Sequence, residues 1–115
     1  MNIQGKVWGN TLKLFDKNNV SVHRIHGKKG GYCSKHKHEH KYNLLFVESG
    51  SLKIEIWKDY NLVDVTNLCE DQCCIIEPGQ FHKFTVQEDA VVVEIYWTEL
   101  CSKDIVRKDH GGFIN

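Results

Sequence analysis

Seven residues, Ser51 to Trp57 (SLKIEIW), restrict the possible folds more than any other part of this chain. Leu52, Ile54 and Ile56 alternate with Lys53 and Glu55, so an extended strand here has one apolar face and one charged face. Such a strand buries one side and wets the other, and it needs neighbours of the same kind. The rest of the chain supplies them. Val20 to His26, Tyr32 to His38, Asn43 to Val47, Leu62 to Thr66, Cys73 to Ile76, His82 to Val86 and Ala90 to Thr98 all read as short strands. Glycines and the single proline punctuate them, with turn signals at Ser49-Gly50, Asp59-Tyr60-Asn61 and Pro78-Gly79. Ala90 to Thr98 carries VVVEIYW, a β-branched run that reads as a central strand.

No window of helical length sustains a 3.6-residue apolar repeat, so an all-β fold is expected. Closing the strands into a barrel or sandwich removes the exposed edges that so strand-rich a chain would otherwise present. A length of 115 residues predicts one domain, residues 1–115, and no repeat, low-complexity segment or linker divides it. The tail, residues 102–115, is polar and glycine-ended, and is expected to pack across the barrel or to be mobile.

Lys+Arg and Asp+Glu both number 15, so the formal net charge is zero and no global field draws the chain to nucleic acid or to an anionic membrane. The N-terminal residues lack the apolar core of a signal peptide, and no run approaches the roughly 20 apolar residues of a membrane span. A cytoplasmic location is expected. Five cysteines, an odd number without a CxxC pair, argue against a disulfide scaffold or a zinc ribbon. Cys73 and Cys74 are adjacent and face opposite ways in a strand. They read as reduced packing residues, as do Cys69 and Cys101, while Cys33 stands apart because it precedes a row of histidines.

That row is His36, His38 and His40. On an extended segment the three imidazoles project from one face, with Lys35 and Lys37 on the other. Imidazoles so placed can converge on one divalent metal if a further ligand arrives from elsewhere in the fold. His23, His26 and His110 read as surface or strand histidines. Glu94 lies in an apolar strand, where a carboxylate needs a partner, a role at a site or an outward-facing position. Trp57, Trp97, Phe46 and Phe81 read as core or subunit interface.

Gly30, His36, His38, position 43 and Gly50 are separated by five, one, four and six residues, a spacing that resembles the first cupin motif. Glu77-Pro78-Gly79-Gln80-Phe81-His82 resembles the core of the second, in which a glycine precedes the last metal histidine by three places. The resemblance implies a double-stranded β-helix, or jelly-roll barrel, with His36, His38 and His82 meeting at its centre around a divalent zinc, iron, manganese or nickel ion. It also implies a homodimer, since many cupins pair through edge strands. His40 then falls toward the barrel mouth or the surface.

A narrower resemblance runs through Trp8-Gly9, Val22-His23-Arg24-Ile25, Gly30-Gly31, Ser34, His36 to Asn43 and Ile76-Glu77-Pro78-Gly79 with His82. It extends to Val93-Glu94-Ile95 and to Asp104-Ile105-Val106-Arg107 with Asp109 and Gly111. These residues fall in register with the cupin domain of type II mannose-6-phosphate isomerases. The likeness implies a small, anionic sugar-phosphate substrate, a metal acting as Lewis acid, and Glu94, His40 and Lys41 as candidates for proton-transferring base and phosphate anchor. This chain departs from the pattern where it matters to the chemistry. Asn43 stands where the first motif usually carries a glutamate ligand, His36 where these isomerases usually have glutamine, and Lys41 where they have arginine. A three-histidine site with a neutral fourth group resembles the iron(II) thiol and diketone dioxygenases of the superfamily instead. A sugar- or small-molecule-binding module without catalysis is the third reading.

Overall fold

In a computed structural model the described residues of the chain form seven antiparallel strands: β1 (Asn2–Lys6), β2 (Gly9–Lys17), β3 (Val20–Gly27), β4 (Tyr42–Trp57), β5 (Val63–Leu68), β6 (Cys73–Ile76) and β7 (Phe81–Trp97). The structure describes residues 2–59, 62–98, 106, 108 and 110–114. Tyr60 and Asn61 of the expected turn, Cys101 and much of the expected tail lie outside the described residues. None of the described residues belongs to a helix long and apolar enough to cross a membrane.

β4 and β7 organise everything else. They pair along their whole length, from Tyr42 opposite Trp97 to Trp57 opposite Phe81. One half of this long ribbon is flanked by β3, β2 and β1 on the β7 side and by β6 on the β4 side. The other half has β5 beside β4, and residues 30–36 beside β7. The inner faces of both halves meet in one apolar core, with Ile25, Leu45, Val47 and Val92 from the first and Leu52, Ile54, Phe84 and Val86 from the second. This is the jelly-roll arrangement.

The two halves are joined by an irregularity rather than by the expected turn at Ser49-Gly50. Before it, Asn43, Leu45 and Val47 are buried; after it, Leu52, Ile54 and Ile56 are. The buried set thus moves from odd to even positions on β4, while β7 buries even positions throughout. Between the pairs Val47–Val92 and Leu52–Val86 an odd step on one strand matches an even step on the other, and the register shifts to absorb it. Gly50 makes this possible: its φ is +80°, and a Cβ there would strike the Asp89 carbonyl oxygen and lie 2.7 Å from the Ala90 Cα. The same continuity joins the expected strands His82 to Val86 and Ala90 to Thr98 into β7.

Two further expectations are corrected. Tyr32 to His38 is not a regular strand; it meets β7 in isolated bridges at Tyr32–Thr85 and His36–His82. The ladder is broken between them because the Phe84 amide donates to the Cys33 sulfur at 3.2 Å instead of to a carbonyl. β1 and β2 carry no signal that strand alternation could detect. β2 lies near the sheet edge, with Leu14 and Phe15 exposed and a register shift between Lys13 and Phe15, so its apolar residues do not keep to one face.

Candidate metal centre

The His36–His82 bridge is a reciprocal backbone pair, with His36 N–H donating to the His82 carbonyl at 3.1 Å and His82 N–H to the His36 carbonyl at 2.8 Å. That pairing holds the two rings 4.5 Å apart. Two residues on, the His38 carbonyl accepts the Gly79 amide at 2.7 Å, tying the first histidine segment to the turn that leads to His82. The His38 ring then lies 5.1 Å from that of His36 and 5.6 Å from that of His82. Ligand nitrogens from all three residues fall within 4.8 Å of one another.

Local carbonyls set the tautomers. His36 Nδ1 is 2.7 Å from the Ser34 carbonyl oxygen, and His82 Nδ1 is 2.9 Å from that of Gln80. A carbonyl only accepts, so each Nδ1 carries a proton and Nε2 is the nitrogen left to face a ligand. His38 Nε2 is buried and has no hydrogen-bond partner. Burial lowers the pKa of His38, helped by the neighbouring His36, His82 and Lys41 charges. Burial also lowers that of His82, against the raising effect of the Gln80 carbonyl. Three imidazoles with ligand nitrogens close together, two of them biased toward the neutral form by burial and one with a buried, unpartnered nitrogen, fit a divalent transition metal that favours nitrogen.

Beside the histidines is a cavity of about 500 Å³. Its apolar wall includes Trp8, Ile25, Leu45, Ile54 and Phe84; exposed Lys6, Val7 and Tyr32 bound it. Trp8 packs edge-on against Phe84 at 5.1 Å. Three polar residues on the inner faces of β4 and β7 form a connected group. The Asn43 amide nitrogen donates to Glu94 Oε2 at 3.5 Å and to the Ile95 carbonyl at 3.4 Å. The Tyr96 phenol is close enough to Glu94 to favour its charged form. Burial pushes the Glu94 carboxyl above the ordinary carboxylate range, and Tyr96 and Asn43 pull it partly back. The Tyr96 phenol is pushed up by burial and by the Glu94 charge, so it remains a donor. Its ring meets the edges of His38 at 5.1 Å and His23 at 6.0 Å, linking the carboxylate group to the histidines.

The structure therefore brings His36, His38 and His82 together and places Asn43 and Glu94 in the wall of the same cavity. Asn43 is buried, with its amide nitrogen turned to Glu94. His40 and Lys41 are exposed and do not line the cavity; the Lys41 ammonium sits 5.4 Å from the centre of the Tyr96 ring. Cys33 is buried in the cavity wall, and burial raises its thiol pKa, which makes it a packing group.

Sequence reasoning passed over Tyr96, Lys6 and Lys83, all of which line the cavity, and read His23 as a surface or strand histidine. His23 is a half-buried wall residue, with Nε2 2.7 Å from the Ser21 hydroxyl. Tyr96 was within reach of the alternation rule, since it stands two residues from Glu94 on one strand face. Lys6 lies on a strand that pattern did not reveal.

No protein-family model and no curated protein sequence matches this chain. Solved structures do. KdgF from Halomonas sp. superposes with a TM-score of 0.75 at 13% identity, over 87% of this chain and 88% of that one. The cupin domain of Schizosaccharomyces pombe Cnp3 gives a TM-score of 0.73 at 12% identity, over 86% and 69%. Oxalate decarboxylase of Bacillus subtilis, a protein with Mn(II) centres, gives 0.76 at 14% identity over 90% of this chain, which spans 29% of the decarboxylase. At these identities the likeness is one of fold, and that fold is the cupin jelly roll.

Proposed function

We propose that this chain is a metal-dependent cupin acting on a small hydroxylated anion of the sugar-phosphate type, in the manner of an aldose–ketose isomerase. The reading is carried by the three imidazoles, whose ligand nitrogens lie within 4.8 Å of one another beside a cavity that also holds a buried carboxyl group. The Mn(II) centres of the fold neighbour oxalate decarboxylase support the metal half of it. His36, His38 and His82 would hold the ion, and the ion when bound supplies Lewis acidity toward carbonyl and hydroxyl oxygens.

The remaining chemistry belongs to the chain. A cavity of about 500 Å³ suits a small molecule. Lys6 and Lys83 at its wall favour a negatively charged group there, a role that the resemblance implied for Lys41. Glu94, raised toward neutrality by burial and steadied by Asn43 and Tyr96, can carry a proton between adjacent carbons of a bound ligand. The test compares interconversion of aldose and ketose phosphates by the metal-loaded protein and by its His82→Ala variant. Equal rates end this reading, and tight sugar-phosphate binding without turnover would make the chain a binding module.

One observation favours a second reading. Among the described residues the close ligand group contains no carboxylate, because Glu94 is engaged with Asn43 and Tyr96 instead. Three neutral ligands suit an iron(II) dioxygenase. Oxygen consumption by iron-loaded protein with thiol or diketone substrates would support it, and none above the His82→Ala background would remove it.

A further inference from the structure

The outer face of the sheet β2-β3-β7-β4-β6 has the character of an interior. In register across the five strands run Phe15, Val22, Ile95, Leu44 and Ile75, every one apolar. The next rows continue it with Val20, Trp97 and Tyr42 on one side and Val93 and Phe46 on the other. Trp97 and Tyr42 stack with ring centres 5.5 Å apart. Phe15 and Ile75, at the two ends of the first row, are 49% and 52% exposed. The other half of the fold is more polar on its outer face next to the bend: Thr85, Lys53 and Asn67 form one row, and Lys83, Glu55 and Val65 the next, before an apolar end row of Phe81, Trp57 and Val63. Within VVVEIYW it is the outward set, Val91, Val93, Ile95 and Trp97, that is apolar throughout, while Glu94 and Tyr96 face inward, yet no described strand crosses that outer face.

We infer that this face is the interface of a two-fold homodimer whose axis runs along β7. β7 is the middle strand of the five, with β3 and β2 on one side and β4 and β6 on the other. A two-fold axis along it lays β3 over the partner's β4 and β2 over the partner's β6. Phe15 then covers Ile75 of the partner subunit, and Arg24 comes beside Glu48 of the partner subunit. The charges are complementary in that arrangement. Within one chain Arg24 and Glu48 form a single 3.6 Å contact across β7, both side chains about two-fifths exposed, and Arg24 Nε has no acceptor, so both groups have capacity to spare.

The area is sufficient. Five strands about 4.8 Å apart and about 20 Å of strand length give about 480 Å² per copy, and about 1,000 Å² for the pair is the size at which specific interfaces begin. The exposed edge strands β1 and β5 are not used, in contrast to the edge pairing that the family resemblance implies.

Sedimentation equilibrium of the full chain, from sub-micromolar to high-micromolar concentration, is expected to give twice the chain mass. Ile75→Lys, at an already exposed position, should yield folded monomer by circular dichroism. Thr85→Lys on the more polar outer face of the other half should remain dimeric. Arg24→Glu and Glu48→Arg should each be monomeric alone, because like charges face across the axis, and should form a mixed dimer when combined. A wild-type chain that stays monomeric throughout would overturn the proposal. So would an Ile75→Lys dimer, or a mixture of the two charge variants that does not associate.

Discussion

Leu45 and Leu52 are one bend apart on β4, 1% and 2% exposed, and should respond very differently to truncation. Leucine to alanine removes three carbons, about 2.4 kcal/mol at about 0.8 kcal/mol per buried methylene. A residual void of about 100 Å³ adds about 2.4 kcal/mol at about 24 cal/mol per Å³. Leu52 packs in the closed part of the core, so Leu52→Ala should incur most of both costs, about 4 kcal/mol. Leu45 already borders the cavity of about 500 Å³. Its void merges with space that is there in the native protein, and Leu45→Ala should cost about 2.5 kcal/mol, close to the transfer cost alone. Urea titrations followed by tryptophan fluorescence, in the presence of a chelator so that metal binding does not enter, would measure the difference. At a slope of about 1.5 kcal/mol per molar, the two midpoints should differ by about 1 M urea. Equal costs, or a larger cost at Leu45, would refute the placing of the cavity beside Leu45.

Three other outcomes are expected. Zinc or manganese at 100 times its dissociation constant should stabilise the wild-type chain by about 2.7 kcal/mol in thermal unfolding, and His82→Ala should lose that gain while His40→Ala keeps it; a gain retained in His82→Ala excludes His82 as a ligand. Glu94 has its folded pKa raised by burial, so the stability linked to its protonated form is complete below the ordinary value of 4.5 and is lost as pH rises through the higher folded value. The melting temperature of Glu94→Gln relative to wild type, both metal-free, should therefore climb from pH 4.5 upward; a difference that falls with pH contradicts the burial assignment. Gly50 and Gly79 share φ near +80°, but a Cβ at Gly79 meets nothing whereas at Gly50 it meets the Asp89–Ala90 backbone. Gly79→Ala should cost about 1 kcal/mol from the left-handed conformation alone, and Gly50→Ala clearly more in the same urea assay; the reverse order would show that the β4 irregularity tolerates a side chain.

Much of the site was legible because its signals are local in sequence. Alternation places His36 and His38 on one face whatever the fold around them, Pro78-Gly79 marks a turn, and the resemblance of Glu77 to His82 to the second cupin motif singles out the third histidine. The alternation of Leu52, Ile54 and Ile56 likewise survives intact as the buried face of β4. What pattern could not reach was register. Whether Ser49-Gly50 ends a strand or kinks one depends on the Asp89–Ala90 backbone pressed against Gly50, some forty residues away in sequence. The glycine looks the same in either case.

The sequence by itself determined an all-β chain, its main apolar faces and three histidines of the right type at the right spacing. The strands, their faces and the alternation of His36 with His38 follow from side-chain periodicity, which each segment carries alone, while His82 joined them through the resemblance to the second cupin motif. Tertiary structure decided which groups share a wall. Pairing of β4 with β7 puts Asn43 opposite Tyr96 and within hydrogen-bonding distance of Glu94, while the cavity lining leaves out His40 and Lys41 and includes Lys6 from β1, a strand without a clear pattern. It kept VVVEIYW as a central strand between β3 and β4, with an outer face that no other described strand covers. The reason is common to all of these: contacts between distant segments are set by strand order and register, and neither is written in the periodicity of any one strand.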